Sequence, residues 1–354
     1  YFLTFKKLHQ MKTIYIIIRK SIGLFLFAAF VGCDDFVQVA LPDSQLASSA
    51  VFEDKGTATA ALTSVYAKIR DYSILSGAPN GVSHSLGLYA DEFTYYGVGS
   101  SPTDLYHNEL VSTDPELKEL WSTSYNQIYA VNAIIKGVSQ STSLAASDRD
   151  VLTGEALFVR ALLHFYLVNL YGDVPYISTT DYAVNSKVKR MSVDAVYTHI
   201  KKDLNEAVLL LPEAYLKVDR TRPNVYVAHA LLARVNLYMG LWAEAANEAS
   251  AVLNHTDLYA MAPLSTTFKK TSTGTLWQLS PESATYNTLE GNTFIFTAGP
   301  PPRSALSPAL LQSFEANDMR KSSWIKTISS GTSSWSHPNK YKNKQMQGTP
   351  DEFS

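Results

Sequence analysis

A single cysteine, Cys33, stands in 354 residues. It leaves no internal disulfide and no zinc site built on cysteine ligands. A surplus of either charge is missing too: 30 Lys and Arg against 32 Asp and Glu give a formal net charge of −2, and basic residues gather only in short runs such as Lys187–Arg190. Without cations to neutralise phosphates, nucleic acid is not an expected partner. Signatures of catalysis are also lacking. There is no Walker loop, no G-x-S-x-G and no H-E-x-x-H, and the eight histidines include no i, i+4 pair to hold a metal. Gly97-Val98-Gly99-Ser100-Ser101-Pro102 starts like a dinucleotide loop but lacks the third glycine and reads as preceding no helix. Asp91-Glu92 and Asp203-Glu206 could supply the two carboxylates of a glycosidase, but 32 acidic residues offer many such pairs. Beside Lys201 and Lys202, Asp203 and Glu206 read as a solvated helix face. No catalytic residue, cofactor or metal is expected.

What is present is a large apolar content, 46% of residues, with 12% aromatic, enough for one large or two modest domains. Tyrosine (21) outnumbers phenylalanine (15), which suits wet aromatic surfaces. The longest apolar stretch, Gly154 to Ile177, predicts a buried helix with a sharp stop. Gly172 suits its C-terminal cap, and Pro175 cannot continue it. A membrane span is disfavoured because the run is shorter than the ~20 residues a bilayer needs and has Arg160 and His164 in its middle. His164 reads as a hydrogen-bonded core residue.

Other helices follow from periodicity. Ala58, Ala61, Leu62, Val65 and Ile69 form one face, with Gly56-Thr57 as the expected cap. Trp121, Tyr125, Ile128, Asn132 and Ile135 form a second. Ser192 to Leu211 predicts a third helix, with Ser192 as N-cap, Asp194 in the first turn and Pro212 at its end. In Val227 to Leu253 the positions Leu232, Ala233, Gly240, Trp242 and Ala245 fall at tetratricopeptide spacing, so roughly four degenerate helical hairpins are expected. After residue 256 the composition shifts to Thr, Ser, Gly and Pro. Leu276-Trp277-Gln278-Leu279 and Thr293 to Thr297 read as short strands there, and Gly299-Pro300-Pro301-Pro302 as a loop.

The stretch G-E-A-L-F-V-R-A-L-L-H-F-Y-L-V-N-L-Y-G-D-V-P closely resembles the signature helix of the SusD/RagB family, surface lipoproteins that deliver nutrients to an outer-membrane transporter. The Ala58 and Trp121 helices, Asn317-Asp318-Met319-Arg320 and Lys340-Tyr341 resemble further landmarks of that family. The fold class expected is mainly α: a tetratricopeptide-like helical-hairpin layer packed against an irregular, loop-rich second half with a few short strands. Relatives continue beyond Tyr341 with more helices, so the sequence is expected to be C-terminally truncated.

Met11 is the first plausible start. Lys12, Arg19 and Lys20 followed by the apolar run Ile22 to Val31 form a secretory signal sequence. Phe30-Val31-Gly32-Cys33 then resembles a bacterial lipobox, with Cys33 as the acylated residue. Asp34 and Asp35 resemble a surface-export signal, and Asp35-Phe36-Val37-Gln38-Val39 with Pro42 resembles the tether of mature SusD-like chains. The expected organisation is a signal peptide over 11–32, a lipidated tether over 33–50, a helical domain over 51–255 and a ligand-side domain over 256–354.

The resemblance implies a non-catalytic lipoprotein on the outer face of the outer membrane. It would hold an oligosaccharide, another polymer fragment or a peptide and pass it to a SusC-like TonB-dependent transporter. A secreted glycan-cleaving enzyme and a helical scaffold that binds only protein are the alternatives. Sugar rings pack their C–H faces on aromatic side chains while hydroxyls take hydrogen bonds. On that basis Tyr95 and Tyr96, read as lying in a loop, are the candidate platform. Asn108 is the polar contact, and Trp277 or Tyr286 the opposing wall; core packing is the competing role for each ring, above all for Trp277.

Overall fold

Aspartate, serine and asparagine at helix starts set most of the architecture, which the computed structural model describes over residues 50–282, 287–344 and 350–354. The expected signal sequence, and Cys33 with it, lies outside these residues. A 3-10 turn, Ala50–Phe52, leads into α1 (Lys55–Tyr72), and the cap is Asp54 rather than Gly56-Thr57. Its carboxylate accepts from Thr57 N at 2.9 Å, satisfying one of the helix's orphan donors. Ala58, Leu62, Val65 and Ile69 bury the face the periodicity predicted. Then come α2 (Val82–Tyr89), β1 (Phe93–Tyr95) and α3 (Ser100–Tyr106). A helix therefore does follow Gly99, though of seven residues only.

Two 26-residue helices come next, α4 (Pro115–Gln140) and α5 (Ala146–Tyr171). Asp114 caps α4 through Leu117 N, with Pro115 in the first turn where its missing N–H costs nothing. Helix α5 is longer than its sequence suggested and, among the described residues, is the helix long and apolar enough to cross a bilayer. Yet 83% of its most apolar window is buried inside the protein. It ends where expected, at Gly172, whose φ of +67° other residues rarely adopt.

After α6 (Tyr182–Asn185) comes α7 (Val193–Leu210), capped by Ser192, whose hydroxyl accepts from Ala195 N at 3.4 Å. Asn224 caps α8 (Val225–Tyr238), and Gly240 at φ +73° turns the chain into α9 (Trp242–Leu253). Each long helix packs on the next: α1 on α4, α4 on α5, α5 on α7, α7 on α8, α8 on α9. That is a layer of six helices, three successive pairs among the described residues, where roughly four were expected. Beyond it lie α10 (Leu289–Phe294), β2 (Ser304–Leu306), α11 (Pro308–Ser313), α12 (Met319–Trp324), β3 (Ile325–Ser330) and β4 (Ser333–Pro338).

This second half corrects several expectations. Residues 276–279 join no sheet, and Thr293-Phe294 end α10, which Thr288 caps through Gly291 N at 2.9 Å. The strands are elsewhere. β1 pairs antiparallel with β2 from Phe93↔Leu306 to Tyr95↔Ser304, and β3 with β4 around a two-residue turn opened by Gly331 at φ +60°. Two apolar clusters result: a large one within the helical layer and a small one around Leu88, Phe93, Leu105 and Leu306.

Asp203 reverses its reading as a solvated residue. It is buried, and Arg160 of α5 clamps it with Nε and Nη2, both at 2.7 Å. Tyr176 donates its hydroxyl to the same carboxylate, and Asn132 of α4 accepts from Arg160 at 2.8 Å. A buried ion persists only when paired and hydrogen-bonded in this way. Glu206 does face solvent. His164 stacks on Tyr176; its Nδ1–H donates to Arg160 O at 2.8 Å and its Nε2 accepts from Ile177 N. Burial pushes its pKa down to about 3, so the ring is neutral.

Candidate functional site

The β1–β2 ladder carries Tyr95 at its end, in a strand rather than the loop expected, and Tyr96 one step beyond. Tyr95 is half-buried against the small cluster and donates its hydroxyl to Val98 O at 2.9 Å; burial raises its pKa. Tyr96 is 44% exposed. Its N–H and that of Gly97 both donate to Arg303 O, at 2.7 and 3.0 Å, so two residues oppose one and the regular pairing ends in a bulge just past Tyr95↔Ser304. Side chains alternate along a strand, so Tyr96 faces away from Tyr95 and Ser304, while the Arg303 charge acts on the Tyr95 hydroxyl and on His84.

Support for this face comes from behind. His84 of α2 holds β2 by accepting the Ser304 hydroxyl at Nε2 and donating Nδ1–H to Pro79 O, both at 2.8 Å. Burial pushes its pKa down to about 4, against the bond to Pro79 O and with the help of the Arg303 charge. Strand β2 also packs on β4, and Gly299, at the head of the proline loop leading to Arg303, lies directly on the Trp335 ring. A Cβ at Gly299 would come within 2.1 Å of that ring, so the loop's approach depends on glycine there.

A cavity of about 640 Å³ lies along the same ladder, with Phe93 and Leu306 in its wall. Phe268, Phe294, Trp324 and Tyr341 add aromatic surface, while Glu92, Glu290, Arg320 and Lys340 are its charged groups. The Lys340 ammonium lies 5.7 Å from the Phe268 ring and 6.0 Å from Trp324. Burial raises the pKa of Glu290, whose carboxylate accepts from Ser354 Oγ at 3.3 Å. An apolar floor with a few polar groups is the usual constitution of a small-molecule site. Sequence reading missed this cavity because its wall is assembled from residues 83 to 341, with no local period.

The structure brings together only part of the expected site. Asn108 is exposed at φ +58° beyond the C-terminal end of α3, away from Gly99 by the length of that helix, about 10 Å. Trp277 belongs to the helical layer: its ring is edge-on to Tyr66 and Phe158 at 5.7 and 5.4 Å, and its Nε1–H donates to Thr221 O. Trp277 is half-buried against the helical layer and lines a second cavity, of about 610 Å³, away from Tyr95 and Tyr96. Tyr286 lies outside the described residues. No group of three or more His, Cys, Asp or Glu able to hold a metal occurs among the described residues.

A family model described as "Starch-binding associating with outer membrane", of the SusD-like type, matches residues 47–237. SusD-like protein P2 of Formosa agariphila is 27% identical over 235 residues, which are 65% of this chain and 45% of that protein. SusD-like protein P25 of the same organism is 20% identical over 239 residues, again 65% and 45%. The chain thus matches less than half the length of these curated relatives. Among solved structures, a SusD superfamily protein from Bacteroides vulgatus superposes with a TM-score of 0.70 at 18% identity, over 85% of this chain and 71% of the other. A laminarin-binding SusD-like protein gives 0.65 at 19%, over 84% and 76%. At such identities the structural likeness is one of fold, and the order of helices and short strands agrees with it. Because the family model spans more than half of the 354 residues, the chain belongs to the SusD-like family.

Proposed function

We propose that the chain is a non-catalytic surface lipoprotein that binds a saccharide on the β1–β2 face and delivers it to a SusC-like TonB-dependent transporter. The observation that carries this is the exposed Tyr96 ring at the end of a ladder held from behind by His84. A ring whose backbone N–H is tied to the neighbouring strand stacks on the C–H face of a sugar with little loss of backbone freedom. Tyr95 stiffens the platform, and the exposed Asn108 amide lies toward the far end of α3. A SusD-like structure that binds laminarin and a family described as starch-binding and associated with the outer membrane support a glycan ligand at that membrane. In this reading Cys33 carries the lipid anchor, and the helical layer faces the transporter.

Affinity electrophoresis through gels containing laminarin, starch or xylan tests the binding claim. The expected outcome is retardation by at least one glycan and its loss in the Tyr95→Ala/Tyr96→Ala double variant. Normal retardation of a folded double variant would move the ligand site elsewhere. One observation favours a second reading, glycan cleavage: Glu92 and Glu290 line one cavity, and burial raises the pKa of the Glu290 carboxyl as a general acid requires. Release of reducing ends from a retarded glycan, lost in Glu290→Gln, would establish that reading against the first.

A further inference from the structure

The cavity of about 610 Å³ beside Trp277 lies between the helical layer and loops of the irregular half. Two helices line it with side chains in a matched order. From α5 come Phe158, Leu162 and Tyr166, four residues apart and so on one face, and from α8 come Val227, Leu231 and Arg234. Both rows run from apolar to polar. At the apolar end Phe158 meets the Trp277 ring edge-on at 5.4 Å; toward the other end the two helices approach through Phe165 and Tyr238, 5.1 Å apart. The row from Phe158 to Tyr166 is about 12 Å long by helix rise. Phe268, Leu276 and Phe353 of the irregular half add further apolar lining.

No carboxylate side chain lines this cavity, in contrast to the first, which has Glu92 and Glu290. Its charged residues are Arg234 and Lys269, and Lys269 is already paired with Asp351 at 2.5 Å. Arg234 is exposed and, among the described residues, has no ion-pair or hydrogen-bond partner; the half-buried Tyr166 hydroxyl likewise makes no hydrogen bond there. We infer that this cavity binds a single-chain hydrophobic carboxylate, a fatty acid of medium length, with its chain between α5, α8 and Trp277 and its head group at Arg234 and Tyr166. Affinity comes from the chain, since each methylene moved from water onto apolar lining tightens binding roughly fourfold. The guanidinium fork takes a carboxylate through two hydrogen bonds, and the tyrosine hydroxyl offers a third. An exposed ion pair adds little strength, so Arg234 chooses the head group and the direction of the chain. A saccharide is a poor occupant, because its hydroxyls would lose water against leucine and phenylalanine. The site is separate from the β1–β2 face, and failure of the glycan reading would leave it untouched.

Calorimetric titration of the full chain with hexanoate, octanoate and decanoate tests this, with decanol and decyltrimethylammonium as the neutral and cationic counterparts. Affinity should rise roughly fourfold per methylene along the acid series. Decanoate should exceed decanol by up to about fivefold, the scale of an exposed ion pair, and the cation should bind most weakly. Arg234→Gln should abolish the preference for decanoate and leave decanol unchanged. Ala230→Phe puts a ring into the lined space from a half-exposed position of α8, and should weaken every ligand roughly tenfold or more. Decanoate binding that survives in a folded Ala230→Phe protein would place the ligand elsewhere and overturn the site; the Arg234→Gln comparison does not depend on that variant folding. Equal affinity for decanoate and decanol in the wild type would overturn the carboxylate class. Capture by phosphatidylglycerol vesicles, lost in Arg234→Gln, with no binding of decanoate would make the source a bilayer lipid and overturn the free acid. Absence of binding by all five ligands and by vesicles would end the inference.

Discussion

Individual residues decide stability at two places, one in the helical layer and one behind the β1–β2 ladder. Removing Asp203 leaves the Arg160 guanidinium buried against Tyr176 and Asn132 without its counter-ion. Asp203→Ala should therefore cost about 3–5 kcal/mol in chemical denaturation, whereas Glu206→Ala three residues on should stay within about 0.5 kcal/mol. His84 gives a pH signature. Its folded pKa is depressed to about 4 from the ordinary 6.5 of histidine, so below pH 6.5 the unfolded chain takes up a proton that the native ring refuses. Stability on this account falls as pH drops from 6.5 toward 4. Between pH 7 and 5 the wild type should lose about 2 kcal/mol more than His84→Gln, which keeps a donor and an acceptor but cannot titrate. Equal losses would show that the ring does not titrate as its burial requires. Neither residue was legible beforehand. Asp203 sits between Lys202 and Leu204 with Glu206 beyond, and only the arrival of Arg160 from another helix distinguishes it from its solvated neighbours.

At the scale of elements, the caps and stops were the most readable part of the sequence. Ser192 and Gly172 are local signals that act within a few residues, and both do what their chemistry predicts. Gly172 has no atom within 4 Å of a would-be Cβ, so Gly172→Ala should meet strain and no clash. With ψ at −128° the residue lies outside even the left-handed helical well, so a loss of roughly 1–3 kcal/mol is expected from backbone strain alone, read as a lowered denaturation midpoint with unchanged denaturant dependence. The short strands were not readable, for a physical reason. β1 and β2 are three residues each and lie more than 200 positions apart, so what makes them strands is the partner and not their own pattern. Arg303 escaped notice for the same reason: it enters the site from a proline loop whose destination only the ladder reveals.

The whole molecule joins a regular helical layer to an irregular half that supplies the aromatic cavity and the Tyr96 face. Family membership was legible because the α5 signature is a buried helix, in which packing leaves little freedom of residue choice. The proposed anchor belongs to this scale, since a single acylated residue would place the entire chain at the membrane. Cys33→Ala should abolish incorporation of labelled palmitate and release the protein from cells; continued labelling would remove Cys33 from that role.

The clamp of Arg160 on Asp203 and Asn132 has a consequence in time as well as in energy. Because α4, α5 and α7 each contribute one member, none can open alone without stranding a charge in the interior. Their amide protons should therefore exchange with solvent as one cooperative unit, at the same slow rate and with the same free energy of opening. The turn end of the β3–β4 hairpin, exposed throughout residues 329–334, should exchange first and independently.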